Sequence, residues 1–162
     1  MVRVFDAGGE ERDMDWALEK YNFSIVAAWP GDAPHWEITE LYEMIGPTSM
    51  TVRTQPPTKG VPVLFGWPDG EVEQDTNEDG QTGFGMGDGA YYKPSEGESG
   101  PHYILITEDA SDIIKGLGMI AGTNHAHLEP TFSWVEGQEP SPGPVEGIYA
   151  IKLEGVLTVE RK

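Results

Sequence analysis

The sequence predicts an all-β protein, a β-sandwich with one short N-terminal helix. The 162 residues include 21 Gly and 13 Pro, and such frequent turn residues favour many short strands over a helical bundle. Apolar segments of strand length also recur with turn signals every ~8–12 residues, which is typical of a β-sandwich. The length is that of one domain, and 38% hydrophobic residues are enough to fill one core.

The N-terminal segment predicts a short strand followed by the single helix. Residues 2–6 alternate between polar and apolar side chains, as in a strand. Asp13 is suited to cap a helix at roughly 13–21. Its apolar residues share one helical face: Met14, Ala17, Leu18 and Tyr21.

Further strands are predicted by period-two alternation or by apolar runs between turns. Residues 35–45 alternate as a strand, although Glu37, Glu40 and Glu43 also fit a helical spacing. Pro62, in the apolar run 61–67, indicates an edge strand or the first position of a strand. The other strands predicted in this half are 23–29, 50–55, 71–74 and 82–86.

In the C-terminal half, residues 102–107 form the clearest buried strand. Residues 111–121 show some helical spacing, which two glycines weaken by ~1 kcal/mol each. Residues 123–135 indicate a strand pair or one long bent strand. Residues 1–136 are therefore predicted as the sandwich domain, 137–147 as a Pro/Gly-rich loop or linker, and 148–162 as a hairpin packed on the same domain.

Charge excludes several classes of partner. The formal net charge is −18, so the chain lacks the basic footprint of a nucleic-acid binder and would be repelled by anionic membranes. The chain has no Cys, which excludes disulfides and thiol nucleophiles. The first residues show no signal-peptide pattern, and no apolar run is long enough to span a membrane. Neutral or cationic partners and divalent metals are favoured.

A hydrophobic strand, an Asx–Gly turn and a second strand follow one another as Gly60-Val-Pro-Val-Leu-Phe65, Thr76-Asn-Glu-Asp-Gly80 and Phe84. This pattern, within residues of about 50–106, resembles a transthyretin-like or bacterial Ig-like repeat. The resemblance implies a sandwich of Ig-like or jelly-roll type. It also implies a non-catalytic accessory module, extracellular or on a cell or particle surface, that accompanies a parent enzyme or particle.

Two segments suggest metal binding. Asp75, Asn77 and Asp79 precede Gly80 with the spacing of the first half of a calcium loop, but Met86 stands at the twelfth position instead of Glu. A simple turn and a looser calcium turn both remain open.

The second segment contains His125, His127 and Glu129, which on a strand would share one face. They resemble the facial triad of a transition-metal site, which His102 or His35 would complete from a neighbouring strand. The alternative is that these polar side chains are half-buried and bond the loop near Asn124.

Aromatic residues near turns suggest carbohydrate binding, because aromatic rings stack on the apolar faces of sugars while polar side chains bond the hydroxyls. The candidate ligand-binding residues are Trp29, Trp67, Tyr91, Tyr92, Asn124 and Trp134. No nucleophile elbow, phosphate loop or zinc-protease motif occurs. The sequence therefore predicts a non-catalytic module that binds a polysaccharide. The alternatives are an Ig-like structural or adhesion domain of a cell surface or phage particle, and a metal-dependent enzyme using His125, His127 and Glu129.

Overall fold

The computed structural model describes residues 2–29 and 33–137, and the backbone of 157–159. The described chain is all-β, as predicted, with one α-helix. Its elements are β1 (Arg3–Phe5), β2 (Glu11–Arg12), α1 (Met14–Tyr21), β3 (Ser24–Ala27), β4 (His35–Met44), β5 (Ser49–Gln55), β6 (Pro62–Trp67), β7 (Gly70–Asp75), β8 (Gln81–Gly85), β9 (Tyr91–Tyr92), β10 (His102–Ile106), β11 (Asp112–Leu117), β12 (Met119–Ile120), β13 (His127–Val135) and β14 (Leu157–Val159).

The strands form two six-stranded sheets and one small pair. The first sheet has the order β2-β1-β4-β13-β5-β8, and the second has the order β14-β3-β11-β10-β6-β7. Within these sheets, the β1–β4 and β13–β5 pairs are parallel and the other pairs are antiparallel. The small pair, β9 and β12, is also parallel.

The two sheets share one apolar core. Phe65 of β6 stacks on Phe84 of β8, with ring centroids 4.9 Å apart, so the contact joins the two sheets. The buried Asp112 of β11 also links them, because its Oδ2 accepts a hydrogen bond from the backbone N–H of Ile38 on β4, at 2.9 Å. These cross-sheet contacts fix the relative position of the strands that carry the site.

The predicted helix is confirmed. The Asp13 side chain caps α1 by accepting a hydrogen bond from the N–H of Trp16, at 2.8 Å. The helix ends at Asn22, which adopts a left-handed conformation and donates its N–H to the carbonyl of Leu18. Ala17 and Tyr21, on the predicted apolar face, are buried.

The predicted strands are mostly confirmed, including 35–45, which forms β4 and not a helix. Pro62 is the first residue of β6, an interior strand, so of its two predicted positions the edge is wrong. The helical interpretation of 111–121 is also wrong, because this segment forms β11 and β12. β11 bonds to β10 on one side and to β3 on the other, and this pairing outweighs the local helical spacing.

The segment 123–135 contains one long strand, β13, with an irregularity between Thr131 and Phe132, as the bent-strand alternative predicts. Residues 138–147 of the predicted linker and the first strand of the predicted hairpin lie outside the described residues. The second strand of that hairpin contains β14, which pairs with β3. None of the described helices has the length and apolar character needed to cross a membrane.

Candidate functional site

A cavity of about 430 Å³ lies where β6 and β10 meet the segment that follows β8. Three residues with aromatic rings line it, Phe65, Trp67 and His102, together with Asp69. Its volume falls within the ~300–1,000 Å³ typical of small-molecule sites, and a mostly apolar lining with a few polar groups is also typical of them.

The three rings form a packed group because of strand geometry. Phe65 and Trp67 are two residues apart on β6 and so point to the same face. The pairing of Tyr103 with Gly66 places His102 beside Trp67. The His102 ring stacks on Phe65 with centroids 4.3 Å apart and meets Trp67 edge-on at 6.4 Å. Phe65 is buried, whereas Trp67, before the turn at Pro68, stays half-buried.

His102 is buried with one ring nitrogen unpaired. Only 6% of its surface is exposed. Its Nδ1 lies 3.3 Å from the carbonyl oxygen of Gly66, and since a carbonyl only accepts, Nδ1 carries the hydrogen. Its Nε2 has no hydrogen-bond partner among the described residues. Burial lowers the pKa of His102 against the smaller opposing effect of the Gly66 bond, which favours a neutral ring with Nε2 as an acceptor.

Glycine backbone forms another part of the lining, at Gly85, Gly87 and Gly89. None of the three has the positive φ that would require glycine, and a Cβ atom built on any of them would meet nothing within 4 Å. Backbone conformation therefore does not explain these glycines. Their effect is to leave open space beside the cavity, where a ligand can approach the main chain.

The sequence signal for this wall is an alternation that the predictions did not use. In residues 83–87, glycine alternates with the buried Phe84 and Met86, so the large side chains face the core and bare backbone faces outward. His102 was also missed as a ligand-binding residue, because only the pairing of β6 with β10 brings it beside Trp67. Asp69 was missed although it follows Trp67 by two residues in the same turn.

Of the predicted ligand-binding aromatics, Trp67 is the one that lines this cavity. Tyr92 is a correction, because it is buried and its hydroxyl donates to the carbonyl of Tyr21 at 2.8 Å. Burial also raises the pKa of Tyr92. The side chain is part of the core and does not present a binding surface.

The two other predicted tryptophans are half-buried and lie elsewhere. Trp29 donates its Nε1–H to Asp112 at 2.7 Å and stacks on His35, with centroids 3.7 Å apart. Trp134 donates to Glu136 at 3.0 Å and packs edge-on against the buried Trp36. The structure therefore does not bring the predicted aromatics together on one platform.

Tyr91, His125 and Asn124 form a separate surface patch. Tyr91 is 40% exposed, and its hydroxyl lies 2.6 Å from Nδ1 of His125. Asn124 and His125 both have a positive φ, and the Asn124 carbonyl accepts a hydrogen bond from Gly46 at 2.9 Å. The patch is connected to the cavity through the chain, since Ala90, which lines the cavity, precedes Tyr91.

The predicted alignment of His125, His127 and Glu129 on one strand face is wrong. β13 begins at His127, and His125 lies before it in a left-handed conformation with its ring turned to Tyr91. His127 and Glu129 are paired inside the protein, at 3.1 Å between Nε2 and Oε2. This agrees better with the alternative of polar side chains that bond nearby loops, although two of the three are fully buried.

Glu129 is bonded on all sides. Besides His127, it accepts hydrogen bonds from the N–H of Thr51 at 2.9 Å and from Arg53 at 3.1 Å. Burial alone would raise the pKa of Glu129, but the hydrogen bonds from these three residues hold it below its ordinary value. The carboxylate thus serves as an internal anchor between β13 and β5.

The two histidines expected to complete that metal site lie elsewhere. His35 pairs with Val135 and His127 with Met44, at opposite ends of the β4–β13 ladder, about 25 Å apart at ~3.3 Å per residue. His102 belongs to the other sheet. In the part of the chain that the structure describes, no group of three His, Asp or Glu side chains is arranged to hold a metal ion.

The predicted calcium segment forms a turn stabilised by its own side chain. The Asn77 Oδ1 atom accepts hydrogen bonds from the N–H groups of Asp79 and Gln81, at 2.9 and 3.1 Å. This is the Asx turn of the simpler interpretation. Asp75 and Asp79 are exposed beside it.

Comparisons of the chain with protein-family models, with curated proteins and with solved structures give no match. The functional argument therefore rests on the chemistry of the site.

Proposed function

We propose that the protein is a non-catalytic carbohydrate-binding module that binds a neutral polysaccharide in the cavity of Trp67, Asp69 and His102. The observation that carries this proposal is a half-buried tryptophan, Trp67, that lines the cavity beside the exposed carboxylate residue Asp69. A flat apolar ring next to isolated polar groups matches a sugar, which has apolar C–H faces and hydroxyls at its edge.

Each part of the lining has a role in this arrangement. Trp67 stacks on a sugar ring, Asp69 accepts hydrogen bonds from hydroxyl groups, and the open backbone at Gly87 lets the polymer pass close to the main chain. The net charge of −18 disfavours anionic polymers and so favours neutral ones.

The lining also favours binding over hydrolysis. Glycoside hydrolysis uses two carboxyl groups ~5–10 Å apart on either side of the bond that is cleaved. Among the described residues that line the cavity, Asp69 is the one carboxylate. A single carboxylate beside a stacking ring is better suited to holding a sugar than to cleaving its linkage.

The wider context forms part of the same proposal. Two six-stranded sheets with one core support a β-sandwich of Ig-like or jelly-roll type. Such a module would act outside the cell or on a cell or particle surface, and would keep a parent enzyme or particle close to its polymer.

The test is retention by a panel of soluble and insoluble polysaccharides, with Trp67→Ala compared with Trp134→Ala. Both variants remove a half-buried tryptophan, but only Trp67 lines the cavity. We expect wild type and Trp134→Ala to be retained by one neutral polymer class, with or without chelator, and Trp67→Ala to lose retention at least tenfold. Retention by no polymer, or equal loss in both variants, would contradict the proposal, and no retention would favour a structural or adhesion domain.

A further inference from the structure

β8 lies at the end of the first sheet, and one side of its backbone is unpaired. Among the described strands it pairs with β5 alone. In an antiparallel pair, successive residues direct their N–H and C=O groups alternately towards the partner strand and away from it. The N–H of Met86 donates to the carbonyl of Thr48, just before β5, at 2.8 Å. By this alternation, the N–H and C=O groups of Gly83 and Gly85 point away from β5.

These outward backbone groups are accessible. Gly83 and Gly85 are both exposed, and their N–H and C=O groups have no hydrogen-bond partner within the described part of the chain. The unpaired stretch begins after Gln81, whose own N–H and C=O are bonded to Asn77. The two glycines are about 7 Å apart along the strand, which is the repeat at which an added strand presents its own donors and acceptors.

The edges whose side chains the structure describes differ in their protection. An unpaired strand edge can pair with another chain, and charged side chains commonly prevent this. β7, at the edge of the second sheet, carries the exposed Glu71, Glu73 and Asp75. β2 consists of the charged pair Glu11–Arg12. β8 contains no charged residue and no Pro, and its register with β5 is even, so this edge is open to a further strand.

We propose that the open edge of β8 binds an extended, basic segment of a partner protein, which adds to the first sheet as a further strand. Main-chain hydrogen bonds to Gly83 and Gly85 hold the segment. Exposed carboxylates lie at both ends of the edge, Glu78 and Asp79 before β8 and Asp88 after it, and they favour a basic segment. This interaction goes beyond sugar binding, and Gly83 lies outside the lining of the cavity.

The same charges disfavour a second copy of this chain at the edge. Two antiparallel β8 strands would bring Glu78 and Asp79 of one copy close to Asp88 of the other, and like charges placed together are destabilising. Lys59 lies 3.7 Å from Glu78, but both side chains are largely exposed, so this pair offsets little of the repulsion. Each copy also has a net charge of −18, which makes a basic segment the complementary partner.

The experiment follows amide hydrogen exchange while the peptide Lys-Thr-Lys-Val-Thr-Val-Lys-Thr-Lys, capped at both ends, is added. One control peptide has Glu in place of Lys, and another keeps Lys but has its central amide nitrogens methylated, so that it cannot pair as a strand. We expect the amides of Gly83 and Gly85 to exchange rapidly in the free protein, while that of Phe84 is protected. The basic peptide should slow their exchange at least tenfold, and neither control peptide should do so.

A matched pair of variants tests the edge itself. Gly83→Pro removes the outward N–H without removing a bond to β5, and proline is tolerated at such edge positions. Gly83→Ala keeps the N–H, and its Cβ atom approaches the Met50 carbonyl oxygen no closer than 4.0 Å. We expect Gly83→Pro to weaken binding of the basic peptide at least tenfold and Gly83→Ala to bind as wild type does. Both variants should match wild type in polysaccharide retention, and near-ultraviolet circular dichroism shows that they are folded.

The contrary outcomes are distinct from a failure of sugar binding, which polysaccharide retention measures separately. Equal binding of the basic peptide and its methylated form would mean that charge alone attracts it, and would overturn this inference. Binding of no peptide would overturn it as well. Slow exchange of Gly83 and Gly85 in the free protein, together with a dimer in sedimentation, would place a second copy at the edge and exclude the proposed partner. The exchange measurement on wild type decides the question even if Gly83→Pro does not fold.

Discussion

Two buried histidines mark two regions of the molecule that differ in one respect. His127, on β13, has a partner for both ring nitrogens, at the carbonyl of His125 and the carboxylate of Glu129. His102, on β10, has a partner for only one. A satisfied buried polar network stabilises the structure, whereas an unsatisfied buried atom is a cost to the fold. The difference lies in the neighbours, because the residue type and the burial are nearly the same.

The largest effect on stability is expected in the satisfied region. Glu129→Ala leaves the N–H of Thr51 and the guanidinium of Arg53 without their carboxylate. We expect the free energy of unfolding to fall by about 3 kcal/mol, the lower end of the cost of breaking a buried ion pair, since Arg53 is 32% exposed and can be solvated. Denaturant unfolding measures this, with Glu11→Ala as the control.

Glu11 forms an ion pair with Arg3 in which both side chains are more than half exposed. Its removal should cost less than about 1 kcal/mol. If Glu129→Ala and Glu11→Ala are equally stable, the network around His127 is not the structural anchor described here.

Lowering the pH should remove the stability that buried, hydrogen-bonded carboxylates contribute. Burial alone would raise the pKa of Glu43 as well, but hydrogen bonds from Lys20, Tyr21 and Ala7 hold it below its ordinary value, as for Glu129. Such groups contribute stability above the ordinary carboxyl range, and this stability is lost as the pH falls through their lowered pKa values. Acid unfolding should therefore set in below the ordinary carboxyl range.

Near-ultraviolet circular dichroism measured across the pH range checks this expectation. Loss of tertiary structure at a pH above the ordinary carboxyl range would contradict it.

A smaller effect on stability is expected from His102→Leu. The substitution removes an unpaired buried acceptor, but also the 3.3 Å hydrogen bond from Nδ1 to Gly66 and the stacking on Phe65, so the free energy of unfolding should change by less than about 1 kcal/mol. His127→Leu is the matched comparison, and it should destabilise the protein because it leaves Glu129 with one partner fewer. A loss of stability in His102→Leu as large as that in His127→Leu would contradict this comparison of the two histidines.

The smallest effect on stability is expected from Gly87→Ala. The backbone there is extended, and the added methyl group meets open space, so stability should change by less than about 1 kcal/mol. Binding should weaken, because the methyl group enters the space beside the cavity. Scanning calorimetry measures the stability of Gly87→Ala, and titration calorimetry measures its binding. Unchanged binding would mean that the ligand does not pass over this backbone.

The sequence predicts the elements better than it predicts the site. The Asp13 cap, the β4 alternation and the β10 apolar run are local patterns, and each predicts its element correctly. The spacing of 111–121 fails because strand pairing outweighs it. Strand pairing is not local, and no spacing rule reveals which strand lies beside which.

The same limit explains the site. Trp67 is predicted from its position before a turn, but its partner His102 comes from a strand that lies 35 residues later and is visible only in the β6–β10 register. His125, His127 and Glu129 have an attractive spacing, yet the strand begins too late to include His125. Asn124 and His125 both have a positive φ, a conformation in which Asn and His are enriched, but the spacing argument took no account of it.

The indole signals of the five tryptophans offer a direct test of where the ligand binds. A ¹H–¹⁵N spectrum is recorded while β-linked glucose, xylose and mannose hexasaccharides are added in turn, with the Trp67 signal assigned through Trp67→Phe. The account predicts that the Trp67 indole signal moves with increasing ligand and that those of Trp29 and Trp134 stay in place. Movement at Trp29 or Trp134 without movement at Trp67, or no movement of any indole signal, would contradict it.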